Sequence, residues 1–353
     1  MTMRFGAPTR RGVSAIFQRT PDRPSAFARV LSYIVLFGWS AVVLFPIYWV
    51  AVTSLKTPID VASGPKYLPF IDFQPTLEPW RYILVEQWSD TVRPFLNSIV
   101  VSFSSSVLAL VAGTMAGYAL ARIAFRPSLE AVGLFVACTL LAAAMAVALG
   151  VAWPIAAASG LSIFILIYAS LRHRFKLRLS NKDIALWIIS QRALPPVSIV
   201  IPLYVMFLDL GILATPIPLI LTYAVVNLPI VVWLSRDFVA RVPYEIEESA
   251  IVDGASRYRI FWSIILPTIK PGLAAIFLLV LILSWNEYLL ALILSTGDTQ
   301  TMPLLVAAQN ATRGPQWWTM SALILIMIVP VFVMAIILER FIRRGFLSGA
   351  LKG

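Results

Sequence analysis

Long apolar runs alternate with short polar stretches along the whole chain, and most of the runs are of membrane-crossing length. Crossing about 30 Å of hydrocarbon takes roughly 20 apolar helical residues, and the pattern predicts spans at about 30–54, 95–120, 184–208, 217–235, 272–295 and 319–338. An Ala-rich stretch, 130–171, breaks near Gly150 and Pro154. Its 42 residues suffice for two further spans joined by a minimal turn, with a re-entrant hairpin as the alternative. Ala142 to Ala144 and Ala156 to Ser159 are small enough to let two such arms pack closely. The expected class is an all-α integral membrane protein of about eight transmembrane helices.

Composition agrees with that pattern. Of the 353 residues 59% are hydrophobic and only 13% charged, too apolar for an ordinary soluble domain. The net charge of +11 reads as orientation rather than as a nucleic-acid surface, because basic residues beside spans mark the cytoplasmic face. The tail 1–29 and the segments 122–126, 172–182, 236–270 and 340–352 carry 22 Lys and Arg, all on one side of the predicted membrane. The other side has Lys56, Lys66, Arg81, Arg93 and Arg313, and Arg192 lies inside a span. Both termini are therefore expected in the cytoplasm. The late, long first apolar run reads as a retained span, not a cleaved signal peptide. One cysteine (Cys138) and one histidine (His173) leave nothing for a disulfide framework, a multi-His metal site or a His-based triad. No GxxxxGK[ST] phosphate loop occurs, so ATP hydrolysis is not expected of this chain.

One polar segment reads as ordered structure, Arg236 to Gly272. Pro243 opens a helix, where its missing N–H is unpaired in any case, and Glu245, Glu247 and Glu248 sit at the positive end of its dipole. Asp253-Gly254 supplies a turn. A second helix starts near Ala255 with Tyr258, Phe261, Trp262 and Ile265 on one face, and Pro267 and Pro271-Gly272 punctuate the start of the next span. An acidic flank and an aromatic stripe suit docking to another protein; the plainer reading is an amphipathic loop resting on lipid headgroups.

The order of residues then decides. Glu248, Ser249, Ala250, Gly254, a nine-residue gap and Ile264-x-Leu266-Pro267 resemble the EAA loop of binding-protein-dependent ABC importers, with Ser249 where that family usually has alanine. Further segments resemble the smaller permease of maltose-transporter-type carbohydrate importers over 30–128 and 184–353. They are Asn97-Ser98, Gly117 to Arg122, Arg192 through Pro195-Pro196 to Tyr204, and Trp285-Asn286-Glu287-Tyr288. The resemblance implies a type I importer permease fold with a six-span core, to which 129–171 adds an extra two-span hairpin. It divides the chain into the basic tail 1–29, two core spans and their loop in 30–128, the hairpin 129–171, and the remaining core spans of 172–353 with the coupling loop 236–272.

The resemblance also implies a function: a permease subunit in a bacterial inner membrane, moving a sugar, sugar derivative or polyol received from an extracytoplasmic binding protein. It implies a second permease as heterodimer partner and two cytoplasmic ABC ATPases, which bind the ATP and Mg; no cofactor or metal is expected in this chain. The coupling residues are then Glu247, Glu248, Ser249, Ala250, Asp253, Gly254, Ala255, Leu266 and Pro267. Polar groups inside spans are costly unless they face a cavity or a partner, which makes Arg192, Asn227, Trp285, Asn286 and Glu287 candidates for the substrate path. Packing or mutual pairing is their structural alternative. By position, the loop 296–318 matches the extracytoplasmic loop that reaches the binding protein, with Thr301, Gln309 and Asn310 as candidate contacts; an ordinary connector is the other reading. A permease for a non-sugar solute, an ion-coupled carrier using Arg192 and Glu287, and a membrane enzyme are the competing classes. The carrier leaves 236–272 unexplained, and the enzyme lacks a catalytic constellation.

Overall fold

The computed structural model describes residues 26–124, 126–310, 314 and 316–350, with side chains described between Phe27 and Arg340. Most of the basic tail 1–29, Arg313 and Lys352 lie outside the described residues. The chain divides into two compact units.

One unit holds the described residues up to Trp88 together with Val306–Ile328. Its first helix, α1 (Ala26–Thr53), is apolar all round and exposed along most of its length, the pattern of a lipid-crossing helix. The loop after it is ordered around Lys56. The Lys56 ammonium is buried, donates to the Lys66 carbonyl at 2.7 Å and stands 4.5 Å over the Trp49 ring. Burial pushes its pKa down. Thr57 and Asp60 form a reciprocal cap on the short helix Pro58–Ala62, and Asp60 pairs with Lys66 at 2.6 Å.

The other unit, Ser89–Leu305 with the end of the last helix, opens with α2 (Trp88–Arg122). A helical hairpin follows, α3 (Leu129–Leu149) and α4 (Trp153–Leu171), turned at Gly150 with φ +64°. At 1.5 Å per residue both arms are about 30 Å long, enough to cross a bilayer. Their seam is made of small side chains: a Cβ at Gly160 would lie 2.8 Å from the Ala142 Cβ. Next come α5 (Asn181–Ser190), α6 (Val197–Asp209), α7 (Ile217–Ala240) and α8 (Tyr244–Val252). A helical run from Arg257 passes through a π-turn, Phe261–Ile265, into α9 (Leu266–Trp285). The remaining helices are α10 (Leu289–Leu294), α11 (Met302–Ala308) and α12 (Trp317–Ala350).

Among the described residues seven helices are long and apolar enough to cross a membrane, or eight structures if α5 and α6 count as one bent span. The span expected at 184–208 is sharply bent. Its two halves meet at 87° around Leu194–Pro196. Two consecutive prolines remove two helical donors, and the residue before a proline avoids the helical region; Leu194 accordingly has φ −71° and ψ 128°. Single prolines at positions 46, 94, 202, 229, 271 and 330 leave their helices continuous.

The core of this unit joins α2 and α7 to the segment 257–285, with Val231, Val239, Ile265 and Ile276 at its centre. The spacing Gly113-x3-Gly117 lets α2 and α7 approach closely. A Cβ at Gly117 would come within 2.9 Å of the Arg236 nitrogen, and one at Gly113 within 2.6 Å of Val231.

Candidate functional site

The helix–turn–helix between α7 and α9 forms as its residue pattern predicts. Pro243 caps α8, Gly254 takes φ +79° in the turn, and the Ser256 hydroxyl caps the next helix by accepting from Arg259 N. The predicted break before the following span does not occur. The π-turn feeds directly into α9, and Pro267 sits in its first turn, so the second loop helix and the span are one rod. A π-turn shifts the hydrogen-bonding register, which absorbs the donor missing at Pro267.

That geometry corrects the expected aromatic stripe. Phe261 and Ile265 are buried, with Phe261 packed 5.0 Å from the Tyr118 ring, whereas Tyr258 and Trp262 stay exposed. One half of the stripe is core, the other surface.

The acidic flank also divides. Glu247 points inward, with only 5% of its side chain exposed, and pairs with Arg122 at the end of α2. The Tyr118 hydroxyl donates to the same carboxylate at 3.3 Å. Arg122 also donates to the carbonyls of Val239 at 2.9 Å and Val242 at 2.6 Å, at and just beyond the end of α7. Its guanidinium lies 5.6 Å over the Tyr244 ring. Ala250 is buried beside this cluster, and Leu266 packs on the same core. Glu248, Ser249, Asp253 and Gly254 face outward, with Ala255 half-buried. The outward surface of α8 and its turn is apolar at Tyr244, Ile246, Ile251 and Val252, the last 87% exposed. Arg122 read from the sequence as one more cytoplasmic charge; nothing in the pattern pairs it with a residue 125 positions away.

The substrate-path candidates do not form one cluster. Asn227 is buried and donates to the Ser284 hydroxyl at 3.1 Å, and Ser105 reaches the same hydroxyl at 3.4 Å. This buried polar line joins α2, α7 and α9. Trp285, expected inside a span at 272–295, is the last residue of α9, buried with Phe95 edge-on at 5.8 Å. Asn286 caps the helix, its amide donating to the Ile282 carbonyl at 2.8 Å. Glu287 accepts from the backbone nitrogens of Leu290 at 2.9 Å and Ala291 at 3.2 Å, which starts α10. The continuous apolar pattern on both sides of this break hid it. Arg192 is exposed in the 3-10 turn at the α5–α6 corner.

The loop after α10 is anchored rather than free. The Asn97 amide donates to the carbonyls of Asp298 at 2.7 Å and Gln300 at 2.9 Å, Ser98 accepts from Met302 N at 2.8 Å, and Arg93 pairs with Asp298. Thr301 is consequently buried. Gln309 is half-buried, its side-chain oxygen accepting from Thr319 at 3.3 Å, and Asn310 is exposed.

Helices of this length and apolarity define a polytopic membrane protein. Residues 162–346 match the model of the family described as "Binding-protein-dependent transport system inner membrane component", and the chain belongs to that family. It is 28% identical over 335 residues to the inner membrane ABC transporter permease protein YcjP of Escherichia coli (strain K12), covering 92% of this chain and 97% of that protein. It is 26% identical to the trehalose/maltose transport system permease protein MalG of Thermococcus litoralis, covering 94% and 99%. Among solved structures, a chain of a bacterial ABC transporter that imports alginate superposes with a TM-score of 0.56 at 20% identity, covering 91% and 99%. The chain has the fold of an ABC importer permease.

Proposed function

We infer that this chain is one permease subunit of an ATP-driven importer for a sugar, sugar derivative or polyol. The observation that carries the reading is the outward face of α8. It is an apolar patch ringed by Glu245, Glu248 and Asp253, placed outside the spans and latched to α2 by Arg122. A soluble loop has no use for an 87% exposed Val252, and exposed apolar patches of this kind mark interaction sites. In this reading the patch sits in a groove of a cytoplasmic ABC ATPase, and both chain termini lie on that same side. Two ATPase subunits bind the nucleotide and metal, so catalysis is theirs. A second permease completes the membrane pore, and an extracytoplasmic binding protein delivers the solute. The relatives named for trehalose and maltose favour a carbohydrate. Asn227 and the hydroxyls beside it are the best-placed polar groups for lining the path; Trp285, Asn286, Glu287 and Arg192 hold helix ends and a corner. Asn310 is the accessible member of the binding-protein loop, and the α3–α4 hairpin is an addition to the six-span core.

The test is mild-detergent purification of the tagged chain from its native membrane, comparing wild type with Val252→Glu. The expected wild type brings an ABC ATPase and a second permease. The variant keeps the permease and loses the ATPase. Wild type purifying without an ATPase, or a variant that retains it fully, refutes the docking role.

A further inference from the structure

The α3–α4 hairpin carries a feature outside the segments to which the transport reading assigns a role. An elongated apolar groove of about 640 Å³ runs between its two arms and is closed on one side by Pro202 and Met206 of α6. Ala142 and Ala156 form its floor, and Ala143 and Ala157 its open rim. Along α3 the lining runs from Phe135 to Ala146. At 1.5 Å per residue that is about 16 Å, half the roughly 30 Å hydrocarbon core and so the depth of one leaflet.

The chemistry at one end of the groove is distinctive. Past Phe135 and Phe164 an aromatic row continues through Tyr168 to Phe175, with centroids 5.7 and 6.1 Å apart. Beyond it lie Arg126, Arg172, Arg174, Lys176, Arg178 and Lys182, all exposed. Their loop is folded back on the start of α3, with Leu129 N donating to the Leu177 carbonyl at 2.8 Å and Leu179 N to the Pro127 carbonyl at 2.9 Å. The two nearby acids offset these cations only in part, Glu130 through its charge beside Arg178. Glu130 accepts from the backbone nitrogens of Lys176 and Leu177, both at 3.0 Å, and Asp183 caps α5 through Ser180. Among the described residues none of the six cations makes an ion pair. Small side chains alone would mark only close packing, and cations alone only orientation. Together they form an acyl-length trough ending in an excess of positive charge.

We propose that this trough binds one anionic phospholipid, with an acyl chain along Ala142 and Ala156 and its phosphate among the cations of the 172–182 loop. The charge complement is a lipid phosphate, since an apolar helix of a partner protein would leave the cations unanswered. The site depends on the chain being membrane-embedded and not on which solute it moves.

The experiment uses the purified full chain, incubated with equal amounts of phosphatidylglycerol and phosphatidylcholine of one acyl composition. Retained lipid is counted by native mass spectrometry. A phosphatidylglycerol with a photoactivatable acyl chain maps the contact. Wild type should retain phosphatidylglycerol at least about ten-fold over phosphatidylcholine, with cross-links confined to peptides of 135–164 and to the α6 wall at 202–206. Ala143→Phe, which fills the rim without entering the helix seam, should lose the bound lipid. Exposed-site variants Arg172→Gln, Arg174→Gln and Lys176→Gln should keep the cross-link and lose preference, about five-fold for each cation removed. Equal retention of the two lipids by wild type overturns the proposal. So do cross-links elsewhere, unchanged retention by Ala143→Phe, or a second polypeptide cross-linked in the groove in place of lipid.

Discussion

Arg122 should matter more to this protein than its acidic partner, and the structure says why. Its side chain is 9% exposed and makes three separate contacts: the Glu247 carboxylate and the carbonyls of Val239 and Val242. Replacing it by alanine leaves a carboxylate that is 5% exposed with only the Tyr118 hydroxyl, and removes one donor from each of the Val239 and Val242 carbonyls. Breaking a buried pair from one side costs about 3–5 kcal/mol. Glu247→Gln keeps an acceptor and loses only charge, so it should cost about 1–2 kcal/mol. In Glu247→Ala, Arg122 retains both carbonyls and the Tyr244 ring, which places that variant between the two. The double alanine variant removes the stranded charge as well, so the single costs should exceed their combination by about 1–3 kcal/mol. Unfolding of detergent-purified protein, followed by SDS titration, measures all four. Glu247→Ala as costly as Arg122→Ala, or single effects that simply add, would refute the latch. In an assembled importer Arg122→Ala should also lower transport per ATP hydrolysed, because α8 is no longer tied to α2.

Three further outcomes follow from the geometry. Gly117→Val must push α2 off α7, whose backbone nitrogen at Arg236 lies within 2.9 Å of the new Cβ position; a loss of about 1–3 kcal/mol is expected, read in the same titration. Gly254 at φ +79° should tolerate Asn better than Val, Val costing about 1–2 kcal/mol, with ATPase co-purification as the functional readout. In the loop after α1, backbone N–H groups of Leu68 and Tyr67 hold the Asp72 carboxyl below its usual range, and Lys66 and Thr57 hold Asp60 low. A depressed carboxylate contributes stability that is present above its unfolded value, near 3.8, and is lost as pH falls through the folded value. Protection from hydrogen exchange over 57–73, taken relative to the intrinsic rate at each pH, should therefore be constant near neutrality and fall below about pH 4. Asp72→Asn should show the faster exchange already at pH 7, and unchanged exchange in that variant counts against the role.

The spans were legible because hydropathy reports burial in lipid directly, and helix ends within a few residues of the apolar limits need no tertiary knowledge. The helix–turn–helix of 236–272 was legible for a different reason: Gly254 and the acidic first turn are local rules, satisfied before any packing. What the pattern did not reveal is what depends on angle or on distant partners. Hydropathy reads Asn181–Asp209 as one run, yet Pro195-Pro196 turns it through 87°. The apolar run that hides the end of α9 at Trp285 gives no sign that Glu287 will cap a new helix. Glu247 and Glu248 are neighbours of equal chemistry, and only the arrival of Arg122 makes one internal and the other external.

The close contacts also decide what can move. Gly113 and Gly117 bring α2 against α7 with no room for a methyl group, and Gly272 does the same between α9 and the Phe238 ring, where a Cβ would lie at 2.7 Å. Arg122 then ties α8 to α2 and α7, while the π-turn makes the helix from Arg257 one rod with α9. Packing this tight switches between discrete arrangements rather than bending. A push on α8 therefore moves α2, α7 and α9 as a block. The place free to absorb that movement is the exposed corner at Leu194–Pro196, where no helical hydrogen bond crosses between α5 and α6. Replacing Pro195 and Pro196 by alanine should straighten that corner and slow solute transport while leaving ATPase docking intact. Hydrogen exchange at 190–198 measures the first effect and uptake the second. Straightening without any change in transport would mean that the block moves about some other hinge.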